Sequence, residues 1–194
     1  MTDSAVDAIL TFWFGSESDA DWGRPRAVWF RKDPTFDAQI RERFLPDVES
    51  ALAGRYADWA ESPAGALALL ILLDQFPRNL FRGTARGFAG DAAALALARQ
   101  VLEAGWDKTM TPVQRVFAYL PFEHSEAIED QDRSVALFGA LADAYPAHAG
   151  FLDYAHQHRD VIVKFGRFPH RNAALGRPST PEELAYLAQP GAGF

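Results

Sequence analysis

The sequence predicts an all-α protein of seven to eight helices stacked as antiparallel hairpins, and three observations predict it. A capping residue followed by Pro recurs at Asp33-Pro34, Ser62-Pro63, Thr111-Pro112 and Thr180-Pro181. Each pair sets a side-chain oxygen before a residue whose missing N–H costs nothing at the first helical position and whose φ is already helical. Between these starts apolar residues recur every three or four positions. No stretch alternates at period two, and β-branched residues are sparse, so no strand is expected.

In chain order, the first apolar stretch stops at Gly15. Asp33 then opens a helix in which Phe36, Ile40, Phe44, Val48 and Leu52 step by four across Pro46, which predicts one kinked helix ending near Gly54. Ser62-Pro63 opens a third whose run Leu67-Ala68-Leu69-Leu70-Ile71-Leu72-Leu73 is apolar on every side, so it belongs at the centre. Pro77 is expected to end it. Asp91 is expected to cap the stripe Ala94, Leu97, Ala98, Val101 and Leu102, which stops at Gly105.

Thr111 and Gln114 have capping-box spacing before Val113, Val116, Phe117 and Leu120, and Pro121 is expected to interrupt that helix. Val135, Phe138, Leu141 and Ala142 form the next stripe, closed by Pro146. Phe151, Ala155, His158, Ile162 and Phe165 form another, closed by Gly166. Thr180 and Glu183 repeat the capping box for a last helix.

At 194 residues the chain suits one domain, residues 1–194, with 48% hydrophobic and 23% charged residues. A net charge of −7 argues against nucleic acid and anionic membranes as partners. With no Cys there is no disulfide, thiolate metal site or cysteine nucleophile. The first residues lack a signal-peptide pattern, and the longest apolar run, Ala66 to Leu73, is far short of the roughly 18 residues of a membrane span. The expectation is a cytoplasmic protein.

Positive charge is uneven. Asp74 to Arg86 carries +2 and Gly150 to Ser179 carries +3, so the remainder carries −12. Arg and His concentrated in an acidic chain suggest a local anion site, with solvated loop charge as the alternative. Three stretches hold the polar candidates. The first, Asp74-Gln75-Phe76-Pro77-Arg78-Asn79-Leu80-Phe81-Arg82-Gly83, follows the most buried helix. Its Gln75, Arg78, Asn79 and Arg82 either contact a ligand or satisfy the helix end. In the second, Pro121-Phe122-Glu123-His124-Ser125-Glu126, a carboxylate and an imidazole adjoin. Glu123 is an acid/base candidate, with His124 and Ser125 as contacts.

The third runs His156-Gln157-His158-Arg159-Asp160 and then Gly166-Arg167-Phe168-Pro169-His170-Arg171-Asn172. His158 lies on the inward stripe and is the second acid/base candidate. Arg159, Arg167, His170, Arg171 and Asn172 are binding candidates. Trp13 and Trp29 would wall the pocket. The string Phe76-Pro77-Arg78-Asn79 is echoed by Phe168-Pro169-His170-Arg171-Asn172, although no 34-residue helical repeat is readable. His spacing supports no metal site, and Walker, dinucleotide and Gly-x-Ser-x-Gly motifs are absent, so no metal or cofactor is expected.

These strings, with Phe12-Trp13-Phe14-Gly15, Trp29-Phe30-x-Lys32-Asp33 and Leu175-Gly176-Arg177, resemble the bacterial family catalogued as domain of unknown function 924 over nearly the whole chain. The resemblance implies an all-α fold grouped with tetratricopeptide-like helical proteins. It carries no settled activity, so whether the protein is an enzyme is open on these grounds. The leading expectation is a small anionic ligand, carboxylate or phosphate, held in an Arg/His-rich groove between helices. The competing expectation is a non-catalytic helical scaffold that binds a protein partner or a second copy.

Overall fold

The computed structural model describes residues 2–193; Met1 and Phe194 of the expected domain lie outside the described residues. Nine α segments follow one another: α1 (Thr2–Phe14), α2 (Pro34–Leu52), α3 (Pro63–Leu70), α4 (Phe76–Leu80), α5 (Asp91–Glu103), α6 (Pro112–Glu123), α7 (Ile128–Ala144), α8 (Gly150–Phe165) and α9 (Pro181–Leu187). A single π turn, Ile71–Gln75, joins α3 to α4, so these two form one rod and the helices number eight among the described residues. Among those residues there is no strand. None of the helices is long and apolar enough to cross a membrane.

The starts follow local chemistry. Asp33 accepts from the backbone of Thr35 and Phe36, and Ser62 from Gly65. Thr111 with Gln114 and Thr180 with Glu183 form complete capping boxes. α2 runs through Pro46 without breaking. The chain leaves α8 in the left-handed conformation of Gly166, φ +67°, which glycine adopts without steric cost.

Three local expectations are corrected. Pro77 does not end the buried helix. It lies in the first turn of α4, after the π turn in which Phe76 N–H reaches back to the carbonyl of Ile71. A proline here would press on the carbonyl four residues back, Leu73, and widening the helix by one residue relieves that conflict. Gly90, not Asp91, precedes α5 as its cap; Asp91 is the first helical residue and its carboxylate is engaged elsewhere. Pro121 does not interrupt α6, which runs on to Glu123.

Ala66 to Leu73 are buried without exception, the consequence of a helix apolar on every side. Around that rod α1 packs on α3, α2 on α4, and α5 on both α3 and α6; α6, α7 and α8 then pack in series. Large rings fill the space between. Trp13 is wholly buried, with ring centroids 5.5 Å from Phe76 and from Phe117, and Trp29 lies 4.9 Å from Phe117. Burying such a ring contributes about 1.5–3 kcal/mol, and each edge-to-face pair about 0.5–1.5 kcal/mol more. This packing fixes the π turn, the end of α6 and the middle of α8 against one another.

Candidate functional site

The three polar stretches converge. A cleft of about 330 Å³ opens where the π turn and α4, the C-terminal end of α6 and the middle of α8 meet. Eight of the expected residues line it: Gln75, Arg78, Asn79 and Arg82 from the first stretch, Glu123 and His124 from the second, His158 from α8, and Trp29. Four further lining residues, Phe30, Leu120, Phe151 and Tyr154, are apolar or aromatic. Phe30 and Tyr154 are each 55% exposed and frame the mouth.

At the floor His124 Nδ1 lies 2.7 Å from Asp74 Oδ1. Asp74 also accepts from Gln75 Nε2 at 2.5 Å and sits 3.3 Å from Arg78 Nη1. Burial pushes the Asp74 carboxyl up, but the Arg78 charge and the bonds from His124 and Gln75 outweigh it and hold it well below the usual carboxylate range. An ionised Asp74 can only accept, so His124 Nδ1 carries a hydrogen. Burial and the nearby Arg78 charge lower His124, against the pull of Asp74. The ring is therefore neutral at pH 7 and its Nε2 is the basic nitrogen.

Glu123 is 3% exposed, and burial, together with the Asp74 charge that faces it, pushes its carboxyl up to about 8. Burial holds His158 down at about 3. His158 Nδ1 lies 2.9 Å from the carbonyl of Tyr154 and 3.2 Å from Glu123 Oε1. A carbonyl accepts only, so Nδ1 is the protonated nitrogen and shares its hydrogen with Oε1. The proton of Glu123 then belongs on Oε2, a buried oxygen with no hydrogen-bond partner.

Local structure explains why Glu123 and His124, consecutive in sequence, both reach the cleft. α6 ends between them, and the buried Gln131 of α7 donates Nε2 to the carbonyls of Glu123 and Ser125, each at 2.7 Å. That clamp holds the chain where it leaves the helix. Ser125 turns away and donates to Asp130.

The remaining candidates do not line the cleft. Trp13 is core, and its carbonyl accepts from Trp29 Nε1. Arg159 pairs with Asp132 on the surface. Arg167 forms a two-point bond to Glu183, and Asn172 donates to Glu183 and Ser179. Arg171 is buried, donating to Asp91 Oδ2 at 2.9 Å and to the His124 carbonyl at 3.0 Å. His170 packs beside Phe168, and burial with the Arg171 charge holds it at about 4.

The two Phe-Pro strings are thus related in space. Arg78 from one and Arg171 from the other donate to the same carboxylate, Asp91, and both guanidinium groups lie over Phe88. Sequence reasoning missed Asp74 as the partner of His124 and Asp37 as the partner of Asn79 and Arg82. It also missed Phe30 and Tyr154 at the mouth. The acids lie 42 to 50 positions from their partners, so no local pattern announces them. Among the described residues, no cluster of three or more His, Asp or Glu side chains is placed to hold a metal ion.

The family model described as bacterial protein of unknown function, DUF924, matches residues 9–191. The fold is similar to that of a solved protein of unknown function from Agrobacterium tumefaciens, ATU0120. The two are 39% identical with a TM-score of 0.84, over 97% of this chain and 99% of that one. No curated protein matches the chain.

Proposed function

The chain belongs to the bacterial DUF924 family of unknown function, and for it we propose the binding of a small organic molecule bearing a carboxylate or phosphate in the cleft between the π turn, α6 and α8. The observation that carries this reading is Glu123, a residue of the cleft lining whose buried Oε2 has no hydrogen-bond partner among the described residues. Leaving such a group unmade costs about 1–3 kcal/mol, and a ligand acceptor is the kind of group that completes it.

The anionic group is assigned to Arg82 by elimination among the arginines. Arg78 and Arg171 are locked on Asp91 in partly or fully buried pairs, and breaking one partner of a buried pair costs about 3–5 kcal/mol. Arg82 has a side chain 39% exposed and holds only Asp37. A pair that open to solvent is worth about 0–1 kcal/mol, so a ligand anion can displace it. The aromatic mouth would cover the ligand's carbon skeleton.

A thermal-shift panel of small carboxylates and phosphates tests this reading. The wild type and Arg159→Ala are expected to show the same stabilisation, and Arg82→Ala to lose it. A panel without any shift, or a shift that survives in Arg82→Ala, counts against the site.

A further inference from the structure

The cleft is lined by a carboxyl and an imidazole from consecutive residues, Glu123 and His124. Asp74 takes the Nδ1–H of His124, which leaves Nε2 as the nitrogen able to accept a proton. Among the described residues no hydrogen bond engages Nε2, and His124 lines the cleft. Glu123, the preceding residue, lines the same cleft, and its buried Oε2 has no hydrogen-bond partner among the described residues. Phe30, Leu120 and Phe151 add apolar surface to the same lining, beside the polar side chains of Gln75, Arg78, Asn79, Arg82 and His158. One carboxylate orienting an imidazole, with a second carboxyl kept neutral close by, is the arrangement that moves two protons in opposite senses.

We propose that His124 and Glu123 are a catalytic base and acid that enolise a 2-oxo acid bound in the cleft. This inference rests on the binding reading above and names the substrate class for the same site. The C–H bond beside the ketone breaks, its proton going to His124 Nε2 and its electron pair forming the C=C bond. The carbonyl π pair moves to oxygen, which takes the proton from Glu123 Oε2. The enol, an imidazolium and a Glu123 carboxylate result, and return of protons to either face completes tautomerisation without any oxidant or co-reactant. Arg82 holds the carboxylate and the aromatic mouth holds the side chain.

The protonation states that this step needs agree with the surroundings. Around His124 and Glu123 stand Asp74 and Arg78 from the π turn and α4, Asp91 from α5, His158 from α8, and, from the 3-10 turn Pro169–Arg171, His170 and Arg171, the last donating to the His124 carbonyl. Glu123 keeps its proton up to about 8. His124 is lowered by burial and by Arg78, so it stays basic below the ordinary imidazole range.

Phenylpyruvate carries the carboxylate, ketone, acidic C–H and ring that the cleft would read. The experiment follows deuterium entering its C3 position in D2O by proton NMR, with the intact protein across pH 5–10. Wild-type protein is expected to accelerate exchange by about 10²-fold or more over buffer. The rate should fall on the alkaline side near pH 8, where Glu123 ionises. Glu123→Gln keeps a neutral side chain of the same shape, so it should fold with a melting temperature no lower than wild type, slow the exchange and lose the alkaline limb. His124→Gln should return the rate to that of buffer. Because that variant loses a buried partner of Asp74, the wild-type profile and Glu123→Gln decide the matter if it does not fold. Exchange no faster than buffer, or an alkaline limb unchanged in Glu123→Gln, overturns the proposal. A thermal shift by phenylpyruvate without exchange overturns proton transfer and leaves the binding reading intact; no shift by any anion removes the binding reading itself.

Discussion

Arg171 Nη1 donates to Asp91 Oδ2 at 2.9 Å across 80 positions of sequence, and Arg78 holds the other side of the same carboxylate. This junction ties the turn after α8 to the first residue of α5 and to α4. It makes Arg171 part of the frame behind the cleft, and its second bond, to the carbonyl of His124, fixes where α6 ends.

Arg171→Ala is therefore expected to destabilise the protein by about 3–5 kcal/mol, the usual consequence of removing one member of a buried pair. Urea unfolding measures it. A loss under about 1 kcal/mol would show that the junction is not structural.

Gly90→Ala tests the close approach that seats α5 on the π turn. Gly90 has φ −92°, open to any residue, but a Cβ there would stand 2.1 Å from the Leu73 carbonyl. The carbonyl is backbone and cannot rotate aside, so the helix must shift, at about 1–3 kcal/mol. Gly139→Ala on α7 has nothing within 4 Å and should be neutral or mildly stabilising. Equal melting temperatures for the two variants would contradict this account.

Gln131→Met removes the clamp on the end of α6. The carbonyls of Glu123 and Ser125 would each lose their 2.7 Å donor, the first of them buried, at about 1–3 kcal/mol for the buried group left unmade. Faster amide exchange at Ser125 and Glu126, together with the lower unfolding midpoint, is the expected signature. A variant with wild-type exchange would sink it.

Stability should fall on both sides of neutrality, for different groups. Glu123 is raised in the folded state to about 8, so its stabilising effect is complete below its unfolded value and is lost as pH rises through 8. Relative to Glu123→Gln, the wild type should lose on the order of 1.4 kcal/mol per pH unit across that window. His158 and His170 are depressed to about 3 and 4, so the unfolded chain takes up protons first as pH falls below about 6.5. Their penalty grows from there toward pH 4. Urea midpoints at several pH values give both slopes, and a Glu123→Gln curve parallel to wild type would refute the assignment to Glu123.

Helix starts, stops and the central rod are legible in the sequence because their causes act within four residues. A cap at Thr111 answers to Gln114, and a helix apolar on every side at Leu67 to Leu73 has nowhere to go but the centre. Even the three polar stretches that meet in the cleft stand out, since each lies at or beside a helix end. The charge excess in two of those segments is equally visible but misleads: nearly all of it is neutralised by distant acids. Asp91 lies 13 and 80 positions from Arg78 and Arg171, Asp37 42 from Asn79, and Asp74 50 from His124. Tertiary structure alone decides which arginine is locked in the frame and which one remains at the rim. It also decides that the imidazole held by a carboxylate is His124. Ion pairs and burial answer to distance in space, and a chain of this length brings far-separated residues within 3 Å only by folding.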